Sequence, residues 1–86
     1  MLTDEIQDAL KKGKVILGFR KSIRYIKMYK PKLVVVANNI PESMKREIKY
    51  NTKIGKIKMK VFKGSSKKLG IICGKPFPVS TLVIKE

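Results

Sequence analysis

Residues Leu33-Val34-Val35-Val36-Ala37 form an unbroken apolar run with three successive valines at its centre. β-Branched side chains favour extended backbone, and a strand without polar alternation needs cover on both of its faces. This run therefore points to a sheet held between helices, and the flanking sequence supplies them. Thr3 is placed to cap a helix running to about Lys12, with Ile6 and Leu10 four apart on a core face. Asp4, Glu5 and Asp8 lie near its positive N-terminal end, Lys11 and Lys12 near its negative end, and Gly13 stops it.

Val15-Ile16-Leu17 reads as a short buried strand closed by Gly18. A second helix is expected from about Lys21 to Met28, with Ile23 and Ile26 inward and Lys30-Pro31 as its stop. Asn38-Asn39-Ile40-Pro41 is a polar turn whose proline suits the first turn of a third helix. That helix should run to about Lys53, with Met44, Ile48 and Tyr50 inward and Gly55 at its end. Lys58 to Phe62 has strand character. Ser65 or Ser66 can cap a short helix through about Ile72, which Gly74 ends. Pro76 and Pro78 force an extended loop, and Val79 to Ile84 is the last strand. The expected fold class is α/β, a three-layer α/β/α sandwich with four strands and right-handed crossovers. Residues 1–86 make one domain with a thin core and modest stability.

Several chemistries are excluded by the residue types present. The chain has no histidine, so neither a Ser-His nor a Cys-His nucleophile pair can be assembled. No cluster of Cys, Asp or Glu has metal-ligand spacing, and no cofactor is implied. Asp4 and Asp8 share a helix face, but capping of the helix dipole accounts for them better than acid-base work. Gly13 and Gly18 have the spacing of a phosphate-binding loop, yet an apolar strand lies between them and Phe19, not lysine, follows. Gly64-Ser65-Ser66-Lys67 is explained as a helix cap. The single cysteine, Cys73, has Ile71, Ile72 and Gly74 around it and reads as a small buried hydrophobe. The polar, acidic N-terminus lacks the features of a secretory signal, and no apolar run nears the roughly 20 residues of a membrane helix. The expectation is therefore an intracellular binding protein, not an enzyme, with no small-molecule substrate and no membrane partner.

Charge then selects the partner. Twenty-one Lys and Arg oppose six Asp and Glu, giving a net charge of +15. No acid occurs from Ala9 to Pro41, among nine cations, and none from Ile48 to Lys85, among ten. A Lys-rich solvated surface is the plain alternative, but such surfaces usually balance Lys with Glu. An unbalanced excess opposes compaction until a polyanion relieves it, and nucleic acid is the obvious polyanion.

The candidate site begins at Gly18-Phe19-Arg20-Lys21-Ser22, a strand-to-helix junction whose amides point outward as an anion site. Helical geometry stacks Arg20, Arg24 and Lys27 on one stripe away from Ile23 and Ile26. Two more loops should lie at the same end of the sheet. Asn38 and Asn39 offer amides that can read base edges. Lys75-Pro76-Phe77-Pro78-Val79 holds Phe77 between two prolines, where it either stacks on an unpaired base or tucks over the core edge.

Three segments taken together resemble a known family: Gly13-Lys14-Val15-Ile16-Leu17-Gly18-Phe19-Arg20-Lys21-Ser22, then Lys32-Leu33-Val34-Val35-Val36-Ala37-Asn38-Asn39, then Leu69-Gly70 with Gly74-Lys75-Pro76-Phe77-Pro78-Val79. Their order and spacing are similar to the archaeal and eukaryotic large-subunit ribosomal proteins of the L-thirty-e branch, within the kink-turn RNA-binding superfamily. The likeness runs from Leu10 to Ile84. It implies a mixed four-stranded sheet, and it implies ribosomal RNA as partner, bound at a kink-turn with sheared G·A pairs and an extruded base. It also implies a monomer in the cytoplasmic ribosome, with neighbouring ribosomal proteins as further contacts. It maps G·A-pair and backbone contacts onto Gly18, Arg20, Lys21 and Arg24, a base contact onto Asn39, and packing on the extruded base onto Phe77, Val79 and Ser80. The wider superfamily often has Asn-Glu and, three residues on, Lys at the junction. Arg20, Lys21 and Arg24 stand there instead, which favours the ribosomal branch; Lys21, having only donors, suits phosphate. The rival readings are a general kink-turn protein of guide-RNA particles and a protein-interaction module of the same fold.

Overall fold

The computed structural model describes residues 2–86. Helices α1 (Leu2–Lys11), α2 (Phe19–Met28), α3 (Glu42–Ile54) and α4 (Ser66–Ile72) alternate with strands β1 (Val15–Leu17), β2 (Leu33–Ala37), β3 (Met59–Phe62) and β4 (Thr81–Ile84). The strands form one mixed sheet in the order β1-β4-β2-β3, with β4 antiparallel to β1 and β2, and β2 parallel to β3. The apolar run of Leu33 to Ala37 thus becomes a central strand, and every residue of β2 and β4 is buried. Helix α2 packs on α3, β1 and β4, while α1 packs on β1 and its Leu2 end shares a groove with β3 and α4. The result is the three-layer α/β/α arrangement.

Ile6, Ile23, Ile26, Ile48, Leu69 and Leu82 reach inward from different elements to a single core. Each such side chain contributes about 1.5–3 kcal/mol by leaving water. Cys73 belongs to this core, and burial pushes its thiol pKa up, opposed by the nearby Lys75 charge. It is a hydrophobe here, since only a thiolate is reactive.

Several local expectations shift. Helix α1 already includes Leu2, so Thr3 lies inside its first turn and does not cap it. Ala9 takes the fully buried position beside Ile6, and Leu10 is half-buried. Tyr50 points outward, 66% exposed. At 100° per residue it lies about 200° from buried Ile48, so the two cannot share a face. Helix α2 starts two residues early because Gly18 adopts φ 106°, a backbone open to glycine, and releases the chain directly into the helix at Phe19. Strand β4 starts at Thr81, because Pro78 has no N–H and Val79 donates its own to the Ser66 carbonyl.

Candidate nucleic-acid interface

The antiparallel placing of β4 brings three separate connections to one rim of the sheet. Leu17 at the end of β1 stands opposite Leu82, and Val36 near the end of β2 stands opposite Thr81. Backbone bonds then tie the loops laterally. The Gly18 N–H donates to the Thr81 carbonyl at 2.9 Å, and the Ala37 N–H donates to the Ser80 carbonyl at 2.8 Å. The Asn38 N–H donates to the Gly64 carbonyl at 3.2 Å. The β1–α2 junction, the β2–α3 loop and the α4–β4 loop are therefore neighbours.

At the junction, Gly18 is the N-cap of α2 and supplies no side-chain cap, and the first turn contains no acid. The Gly18 carbonyl accepts from the Ser22 N–H at 3.0 Å, closing the first turn. The preceding amides of the helix have no intrahelical carbonyl to meet and lie at its positive end, where an anion is favoured. Successive residues splay to two sides. Lys21 joins Gly18, Lys75, Phe77 and Ser80 around a recess of about 530 Å³ along β1. Arg20, Arg24 and Lys27 line the neighbouring α2–α3 cleft with Phe19, Ile23 and Glu47. The three cations are exposed, whereas Phe19 is half-buried and packs against the core.

Phe77 is 52% exposed, held out by a loop seated tightly on α4. The Lys75 N–H donates to the Gly70 carbonyl and the Val79 N–H to the Ser66 carbonyl, at 2.9 and 3.0 Å. Val79 differs from its neighbours in the candidate set: its side chain is buried in the core, so it anchors the loop from below. Half-buried Ser80 borders the recess beside it.

Asn38 and Asn39 are exposed, but neither is loose. The Asn39 Oδ1 accepts from the Ser66 N–H at 2.9 Å, at the start of α4. That bond holds the side-chain amide by its oxygen and leaves the two Nδ2 donors without a role in it. The Asn38 carbonyl accepts from Lys45 Nζ at 2.8 Å. Lys45 and Gly70 are two contributors that residue-by-residue reading passes over. Lys45 gives no sequence signal, because its role arises from folding back across seven residues. Gly70 gives one, since a glycine inside a helix is costly unless another backbone lies close.

Among the described residues there is no group of three or more His, Cys, Asp or Glu able to hold a metal. Among these residues, too, no helix is long and apolar enough to cross a membrane.

Comparison with known proteins adds three findings. The model of the ribosomal protein L7Ae/L30e/S12e/Gadd45 family matches residues 1–86. The large ribosomal subunit protein eL30 of Methanothermobacter thermautotrophicus is 44% identical over 81 residues, 94% of this chain and 83% of the relative. The eL30 protein of Saccharolobus solfataricus is 42% identical over 80 residues, 93% of this chain and 74% of the relative. Among solved structures, the 15.5 kD RNA binding protein of Giardia lamblia superposes with a TM-score of 0.89 at 16% identity, covering 99% of this chain and 71% of that one. At that identity the likeness speaks for the fold.

Proposed function

The chain belongs to the ribosomal protein L7Ae/L30e/S12e/Gadd45 family, and from that membership we propose that it is a structural component of the large ribosomal subunit, not an enzyme, that binds ribosomal RNA at a kink-turn-like internal loop. The two eL30 relatives, both large ribosomal subunit proteins, support the ribosomal part. The observation that carries the RNA site is the lateral bonding of three loops at one rim, with Gly18, Asn39 and Phe77 one on each.

In this reading the α2 N-terminus with Arg20, Lys21 and Arg24 takes the phosphates on the two sides of a bent backbone, fixing orientation without reading sequence. Asn39 donates Nδ2–H to a base edge while its oxygen stays on α4. Phe77 stacks on an extruded base, contributing about 1–3 kcal/mol. Lys75 neutralises the adjacent phosphate, and Val79 and Ser80 shape the floor beneath the base. Each task needs an unpaired or sharply bent RNA, because a regular A-form helix buries its base edges in a narrow major groove.

Fluorescence anisotropy tests this with an oligonucleotide carrying a bulge and sheared G·A pairs, against the same duplex with the bulge deleted. The expected preference is at least about tenfold for the kinked RNA, equivalent to ~1.4 kcal/mol. Equal affinity for both would reduce the rim to a general cationic surface. Comparable binding to several unrelated kink-turns would instead favour a broader, guide-RNA-type specificity.

A further inference from the structure

A second surface lies on the far edge of the sheet and has a different character. Among the described residues strand β3 is bonded to β2 on one side only, so the backbone N–H and C=O groups of its other side face outward. A groove of about 580 Å³ runs along this edge. Lys60, Val61, Phe62 and Lys63, four consecutive residues whose side chains alternate between faces, all line it. The lining therefore follows the strand edge itself. Its wall is apolar, from Leu2 of α1 and Ile72 of α4, and Val61 is 46% exposed. Cations rim it: Lys63 and Lys68 are exposed, while Lys60 meets Glu5 at 3.5 Å.

We propose that this groove takes an extended, acidic segment of a partner protein, which adds beside β3 as a fifth strand. A strand edge presents donors and acceptors in alternation, and only another peptide backbone matches both. A phosphate backbone has acceptors alone, so half of the edge would be left unmet. A second copy of this chain is disfavoured by charge, because pairing β3 with itself sets Lys60 and Lys63 against their own counterparts. Lys63, which repels another copy, and Lys68 beside the groove attract glutamate or aspartate. The partner's chemistry is thus an extended stretch that mixes aliphatic side chains, which meet the Leu2–Ile72 wall, with carboxylates, which meet the exposed Lys63 and Lys68 at its rim. This surface stands independently of the RNA reading.

The test uses the ¹⁵N-labelled full chain and a capped hexapeptide of alternating glutamate and valine, followed by amide chemical shifts. Shifts concentrated at residues 59–63 and Ile72, with Gly18 and Phe77 unmoved, are expected. The same peptide methylated on alternate backbone nitrogens should bind at least about tenfold more weakly. Lys63→Glu with Lys68→Glu should abolish binding at an unchanged thermal midpoint and confer binding of the lysine-valine peptide. Three results overturn the proposal: shifts spread over the lysines of α2 and α3, indifference to backbone methylation, or a kinked RNA perturbing residues 59–63 in place of the peptide.

Discussion

Phe77 and Gly70 show how one residue's exposure depends on another's lack of a side chain. A Cβ built on Gly70 would lie 2.2 Å from the Phe77 carbonyl oxygen and 3.4 Å from the Pro78 Cα. Both are backbone atoms, so the loop must lift for any larger residue to fit. Gly70→Ala is expected to destabilise the fold by about 1–3 kcal/mol, as overpacking does, and to weaken RNA binding because Phe77 moves with the loop. Phe77→Ala removes an exposed ring and separates the two effects. It should weaken binding of the kinked RNA by about 1–3 kcal/mol while the thermal midpoint stays nearly unchanged, as melting curves and anisotropy together would report. A large stability loss in Phe77→Ala would mean that the ring serves the core edge. The prolines on either side of Phe77 were legible in the sequence as a reason to hold it out. Its dependence on Gly70 was not, because that contact joins a helix to a loop through backbone alone.

At the scale of elements, the central strand and the glycine-led junction were readable because each is a local demand. An apolar strand needs two covered faces, and a chain turning from strand to helix at φ 106° needs glycine. What could not be read is the anchoring of the β2–α3 loop, since Asn39 meets Ser66 across 27 residues. Two substitutions distinguish anchoring from recognition. Asn39→Ala removes the acceptor of the Ser66 N–H and frees the loop, so both stability, by about 0.5–2 kcal/mol as for a lost helix cap, and RNA affinity should fall. Asn39→Asp keeps an oxygen on the start of α4, where negative charge is favoured, but lacks the Nδ2 donor. Its midpoint should match the parent while its affinity falls like that of Asn39→Ala. If Asn39→Asp bound RNA as well as the parent chain, the residue would be a structural tether and the base contact would have to come from elsewhere on the rim. Tyr50 shows the converse error of local reading: a helix pattern assigned by residue type placed it inward, and angular position relative to Ile48 puts it in solvent.

For the whole molecule, a net charge of +15 specifies a polyanion but not how much of the surface meets it. The fold divides that charge. Arg20, Lys21, Arg24, Lys27 and Lys75 gather near the rim, whereas Asp4, Glu5 and Asp8 sit on α1 in the opposite layer. Under the proposed function, such an asymmetry would orient the encounter, turning α2 toward RNA and α1 away from it. The salt dependence of binding counts the cations used, because each neutralised phosphate adds roughly −0.7 to −0.9 to the slope of log affinity against log salt. If the five rim cations are the contact set, the slope for the kinked RNA should be about −3.5 to −4.5. Removing Arg24 should make it shallower by about one. Lys53→Ala, on exposed α3 away from the rim, should leave it unchanged. A slope near −10 for the kinked RNA, moved equally by Lys53→Ala and Arg24→Ala, would mean that the charge acts as a uniform coat. The aligned loops would then position nothing that the net charge does not already attract.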